Sequence, residues 1–92
     1  MVPMSTAGRE LVELLENARP IPLTRGQVRV DAPAAHRLVA AVRESGNASL
    51  VAAAEAADDA VRNAQPVPLT DQVRLPRDHV EQLVQGLRAA GA

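Results

Sequence analysis

The chain of 92 residues contains no cysteine and no aromatic residue. Without cysteine it can form no disulfide, offers no thiolate nucleophile and cannot bind a metal through cysteine. Aromatic side chains each bury roughly 150–250 Å², so the core has to be built from Leu, Val and a single Ile instead. A small core of this kind favours close helix packing and completion by a partner chain. We therefore expect an oligomer.

Lysine is absent as well, and all ten basic residues are Arg. The net charge of −1 gives no general attraction to nucleic acid or anionic lipid. No apolar run approaches the roughly 20 residues of a membrane span, and the N-terminus lacks the basic start and apolar stretch of a signal peptide. We therefore expect a cytoplasmic protein without a membrane span. The Ala- and Val-rich composition is typical of a GC-rich genome.

A tandem repeat is the main feature that is present. Residues 17–24 read Asn-Ala-Arg-Pro-Ile-Pro-Leu-Thr, and residues 63–70 read Asn-Ala-Gln-Pro-Val-Pro-Leu-Thr. The offset of 46 falls to 45 at Gln27-Val28-Arg29-Val30, which matches Gln72-Val73-Arg74-Leu75. Because a fixed period indicates a repeated structural unit, we interpret residues 1–92 as one domain of two repeats, 5–46 and 51–91.

Each repeat predicts a helix, a stiff turn, a short strand and a second helix. In the first repeat, Ser5 and Thr6 are candidate caps for a helix over 6–18, which ends before a proline because the preceding residue resists the helical region. Polar and apolar residues alternate over 27–30, the period of a half-buried strand. Asp31 is a candidate N-cap for the second helix, and Gly46 ends that helix in a left-handed conformation. The second repeat follows the same plan.

A strand of four residues is unstable alone, so we expect the two strands to pair as an antiparallel ribbon about a pseudo-twofold axis. The predicted fold is α+β and mostly helical, a duplicated helix-strand-helix unit with four helices on a two-stranded antiparallel ribbon. A two-stranded ribbon leaves both outer edges open. A partner would dock at those edges or on an uncovered apolar helix stripe.

The residue types that usually carry chemistry do not converge in the sequence. The histidines His36 and His79 occupy non-equivalent repeat positions, so we expect both to face solvent rather than bind a metal. The five glycines are scattered and form no phosphate-binding loop. The acidic residues read as solvated helix faces; they include Glu10, Glu13, Glu16, Asp58 and Asp59. We therefore predict no catalytic residue, metal or cofactor, no small-molecule substrate and no enzyme activity.

One resemblance covers most of each repeat. A helix followed by Ala-x-Pro-x-Pro-Leu-Thr, a valine strand and a Leu/Val-rich helix resembles the N-terminal segment of DivIVA-like and SepIVA-like septum proteins, and of bacterial proteins described as ATP-synthase-subunit-B-like or V-type-ATPase-subunit-H-like. The matching residues are Ala18, Pro22, Leu23, Thr24, Val28, Val30, Leu38 and Val42, with Ala64, Pro68, Leu69, Thr70, Val73, Leu75, Leu83 and Leu87 in the second copy. The resemblance implies a non-catalytic scaffold linked to cell division or envelope growth. The long coiled coil that follows in those proteins is missing from this chain.

A second resemblance gives an alternative. The stretch from Gln72 to Val80 is similar to the strand-then-helix start of ribbon–helix–helix repressors, which place two paired strands in the DNA major groove. In that interpretation Gln27, Arg29, Gln72 and Arg74 would face the bases, because Arg and Gln suit guanine and adenine edges. The net acidic charge argues against it, since DNA-binding domains usually carry a basic face.

The leading hypothesis is a non-catalytic protein–protein interaction or assembly module that binds another protein or a second copy of itself, with nucleic acid the less favoured partner. Exposed residues of the repeated turn and strand are the candidate partner surface: Arg29, Arg74, Gln27, Gln72, Thr24 and Thr70. Under this hypothesis, reversing the charge of both arginines leaves the fold intact and changes only binding.

Overall fold

The structure is a computed structural model that describes residues 6–92, so Ser5, the candidate cap at the start of the first repeat, lies outside the described residues. The elements run α1 (Thr6–Glu16), β1 (Arg19–Pro20), β2 (Gln27–Asp31), α2 (Ala32–Glu44), α3 (Ala48–Asn63), β3 (Gln65–Pro66), β4 (Gln72–Pro76) and α4 (Arg77–Ala89). The same order of helix, two strands and helix occurs twice. This is the predicted α+β, mostly helical fold.

The predicted central ribbon is present. β2 and β4 pair antiparallel, and Arg29 lies opposite Arg74 at the midpoint of the register. The sheet has four strands rather than two, in the order β1-β2-β4-β3. The additional strands are the two-residue segments that lead into each proline turn, and they pair antiparallel with the outer edges of the ribbon. The edges that we expected to be open are therefore partly covered, each by a strand that contains a proline.

Alternation along the ribbon divides the sheet into two faces. Val28 and Val30 on β2 and Val73 and Leu75 on β4 are buried in one cluster with residues of all four helices. The polar residues between them project to the opposite face, because successive side chains of a strand alternate. A single apolar core thus lies between the sheet and the helices, and the other face of the sheet is polar.

The helix ends follow the local sequence. Asp31 caps α2 by accepting a hydrogen bond from the Ala34 amide at 3.1 Å, as predicted. Asn47 caps α3 in the same way by accepting from the Leu50 amide at 3.1 Å. Gly46 has a φ of +76°, the left-handed conformation expected after α2. Among residues 6–92, no helix combines the length and the apolar character that crossing a bilayer requires.

Candidate interaction surface

Two tight turns join the short edge strands to the ribbon, one in each repeat. In the first, the Thr24 amide donates to the Ile21 carbonyl at 3.4 Å and the Thr24 hydroxyl donates to the same oxygen at 2.7 Å. In the second, the amide and hydroxyl of Thr70 donate to the Val67 carbonyl at 3.2 and 2.8 Å. Both predicted partner-binding threonines therefore use their hydroxyls to close their own turns.

A leucine stands at the third position of each turn. Leu23 and Leu69 have φ values of +65° and +66°, which a type II turn requires at this position and which glycine or asparagine normally supplies. The left-handed region costs an ordinary L-residue roughly 1–2 kcal/mol. Both side chains are 106% exposed, so packing within the described chain does not compensate for this strain. We name Leu23, Leu69 and the turns that hold them the leucine turns.

The two leucine turns lie at opposite ends of the sheet. Each turn directly precedes its long strand, and the two long strands are antiparallel, with Gln27 opposite Pro76 and Asp31 opposite Gln72. The molecule is elongated, with principal extents of 44 × 23 × 21 Å. The chain therefore presents the same apolar side chain at two separated points.

The other predicted partner residues lie together on the polar face of the sheet. Arg74 Nε donates to Gln27 Oε1 at 2.6 Å, which ties β4 to β2 across the pseudo-twofold axis. Arg29 Nε is buried and has no hydrogen-bond partner. Gln72 is half-buried, and its amide donates to the Thr70 hydroxyl at 3.1 Å. The structure thus brings Arg29, Arg74, Gln27 and Gln72 onto one surface.

Sequence reasoning missed a polar cluster between α2 and α3. Asp58, expected on a solvated face, is only 3% exposed. Its carboxylate contacts Arg62 Nε at 3.0 Å and Arg43 Nη2 at 3.7 Å, and it is hydrogen-bonded with His36 Nδ1. His36 is therefore half-buried against a carboxylate, whereas His79 is exposed as expected. The repeat alignment held a signal, because Asp58 replaces the buried Val12 of the first copy.

The equivalent seam between α1 and α4 is built differently. It holds a cleft of about 250 Å³ whose apolar wall includes Leu15, Val28, Val80 and Val84. Arg88 Nη2 and Glu16 Oε2 form an exposed ion pair across this seam, at 2.6 Å. The two halves of the repeat have therefore diverged, because polar contacts close one seam and the other contains a cleft.

Within residues 6–92, no group of three or more His, Asp or Glu side chains is arranged to hold a metal ion. The cluster around Asp58 joins α2 to α3 and lines none of the three clefts on the described surface. A second group of charged side chains lines one of those clefts: Glu10, Glu13, Arg19, Arg29, Asp31 and Arg37. No family model, curated protein or solved structure matches the chain.

Proposed function

We propose that this chain is a non-catalytic assembly module that binds other proteins through its leucine turns. The observation that carries the proposal is that both repeats keep a fully exposed leucine in a backbone conformation that disfavours leucine. Strained, exposed residues cluster at sites of function, because folding alone gives no reason to retain them. Two such points at opposite ends of one rigid sheet suit a scaffold that joins two binding partners.

The resemblance to septum scaffold proteins supports a role in cell division or envelope growth for this module. The residues that carry it include the turn itself, Pro22-Leu23-Thr24 and Pro68-Leu69-Thr70. In this proposal the duplicated unit serves as a fused pair of docking segments, and it acts in the cytoplasm of a bacterial cell, alone or as an oligomer.

A second candidate, binding to DNA, is favoured by the polar face of the ribbon, where Gln27, Arg29 and Arg74 lie about a pseudo-twofold axis. The width of the four-stranded sheet argues against DNA binding. Strands lie about 4.8 Å apart, so four strands span roughly 14 Å before side chains are counted. The major groove is about 12 Å wide and admits a two-stranded ribbon.

The test replaces both leucines with asparagine, a residue that tolerates the left-handed region. The variant Leu23→Asn/Leu69→Asn should fold with equal or slightly greater stability, because the backbone strain is reduced. Affinity capture from the native host, with and without nuclease, should then recover a partner with the parent chain and lose it with the variant. The control Ser49→Asn/Gln82→Asn changes two exposed helix residues and should retain the partner.

The outcomes separate the candidates. Equal recovery of the same proteins by the parent and the leucine variant would refute docking through the leucine turns. The ribbon would be supported as a DNA-binding surface if both the parent chain and the leucine variant recover DNA and raised salt abolishes this recovery. Loss of folding in the variant, measured by circular dichroism, would show that the leucines are structural.

A further inference from the structure

A row of three arginines crosses the polar face of the sheet. Arg19 on β1 pairs with Arg29 on β2, and Arg29 pairs with Arg74 on β4. Residues directly opposite each other in an antiparallel pair project to the same face with Cβ atoms about 5 Å apart. Arg19, Arg29 and Arg74 therefore project from the same face of the sheet, and we name these three side chains the arginine row. Arg19 and Arg29 line one cleft, and Arg74 lines another.

No salt bridge within the described residues involves the arginine row, although Glu10, Glu13 and Asp31 line the same cleft as Arg19 and Arg29. The salt bridges of residues 6–92 involve Arg43, Arg62 and Arg88 on the helices, together with His36, and none reaches the arginine row. The buried Arg29 Nε also lacks any hydrogen-bond partner. Like charges directly opposite in a sheet destabilise it, and a buried donor without a hydrogen-bond partner is unfavourable. An anion bound to this face would remove both penalties.

The distribution of charge over the fold points in the same direction. The strand and turn segments, 17–31 and 64–76, contain four Arg against two Asp, a net charge of +2. The remainder contains six Arg against nine acidic residues, a net charge of −3, and the two values together give the overall −1. The near-neutral total thus conceals a basic sheet side and an acidic helix side. One of the two aspartates, Asp31, already caps α2.

We infer that the arginine row is a docking surface for an acidic segment of a partner protein. Arginine binds carboxylates through paired N–H groups in a fixed fork. The long side chains of three arginines on neighbouring strands can reach alternate acidic side chains, which project to one side of an extended peptide. The width of the sheet favours a peptide lying across it over a DNA groove enclosing it. The inference rests on the proposed function as a protein-binding module, and it concerns a surface separate from the leucine turns.

The test measures binding of a dye-labelled peptide of about ten glutamates to the full chain by fluorescence anisotropy, over a series of salt concentrations. Hydrogen bonds between charged groups are stronger than those between neutral groups. Because the sites are partly exposed, we expect Arg29→Gln/Arg74→Gln to weaken binding about tenfold or more. The control Arg9→Gln/Arg88→Gln removes the same charge from the helices and should bind within about twofold of the parent chain. An oligolysine peptide should not bind.

A further variant guards against loss of folding. Arg19 is exposed, so Arg19→Glu should keep the helical circular dichroism signal and still weaken binding of the peptide. Equal weakening by the helix control, or no binding by the parent chain at low salt, would overturn the inference. Preference for a DNA duplex over the peptide would overturn it in favour of the DNA candidate, and salt-sensitive self-association that excludes the peptide would assign the face to a second copy.

The same titration with Leu23→Asn/Leu69→Asn separates this inference from the proposed function. Retained peptide binding by that variant is expected, because the leucine turns do not touch the arginine row in the sheet register. If the leucine variant still captures the partner and the parent chain binds the peptide through its arginines, the leucine turns are rejected as docking points and the arginine row is supported. If the leucine variant loses the partner and the parent chain does not bind the peptide through its arginines, only the arginine row is rejected.

Discussion

Replacing Asp58 tests how a buried carboxylate acts in a core that has no aromatic residue. Asp58 is buried, but its partners His36, Arg43 and Arg62 have side chains that are 41%, 44% and 62% exposed. When the carboxylate is removed, these basic groups can be hydrated, so the loss is smaller than the roughly 3–5 kcal/mol for breaking a fully buried pair. We expect Asp58→Ala to lower the free energy of unfolding by about 2–3 kcal/mol, since it also leaves a cavity.

Valine is the informative substitution, because the equivalent residue of the first repeat is the buried Val12. In Asp58→Val, burial of the valine side chain contributes about 1.5 kcal/mol, and the carboxylate no longer has to be desolvated. Replacing buried ionic groups with apolar residues of similar volume is often neutral. We therefore expect Asp58→Val to remain within about 1 kcal/mol of the parent chain and Asp58→Asn to lie between the two.

The assay is urea unfolding followed by far-ultraviolet circular dichroism, since the chain has no tryptophan or tyrosine fluorescence. A domain of this size is stable by roughly 5–14 kcal/mol, so each difference is measurable. The neighbouring exposed residue supplies the control, and Asp59→Ala should change stability by about 0.5 kcal/mol or less. If Asp58→Val is as destabilised as Asp58→Ala, the contacts with the basic side chains hold the seam and the reasoning from Val12 is wrong.

Three further predictions concern glycines and the repeat. Gly86 lies in open space on α4, so Gly86→Ala should stabilise the chain by about 1 kcal/mol. Gly26 has a φ of +69°, so Gly26→Ala should destabilise the chain by about as much. Thermal melts in which both substitutions shift the melting temperature in the same direction would contradict this. Gly8→Val should destabilise by about 1–3 kcal/mol, because even a Cβ would lie 3.0 Å from Leu50 Cδ2, and an unchanged urea midpoint would show that the leucine moves aside. A chain of residues 6–46 alone lacks half of the ribbon and should become helical only as it dimerises; concentration-independent helicity in a monomer at sedimentation equilibrium would refute this.

The main elements could be predicted because their signals are periodic. The alternation of apolar Val28 and Val30 with polar residues predicts the first strand of the ribbon, and the repeat predicts the strand that pairs with it. The edge strands were missed because segments as short as Arg19–Pro20 contain no period to detect. Their pairing depends on the turns that bring them beside the ribbon.

The candidate surface was only partly predictable for a different reason. Thr24 and Thr70 are candidates because they belong to the repeated turn, but their hydroxyls donate hydrogen bonds to backbone carbonyls inside that turn. Nothing in the composition indicates that Leu23 adopts a positive φ, because glycine or asparagine is the residue that would signal it. The burial of Asp58 was likewise hidden, since one carboxylate on a helix has the same spacing whether it faces water or a neighbouring helix.

The difference between the two helix seams has a consequence for how such a protein can change. In a homodimer of separate subunits every substitution appears twice, so a residue useful on one side is imposed on the other. Fusion into one chain removes that constraint, and Val12 and Asp58 occupy equivalent places with opposite chemistry. The two sides of the molecule are therefore chemically distinct, so rotation about the pseudo-twofold axis does not make them interchangeable.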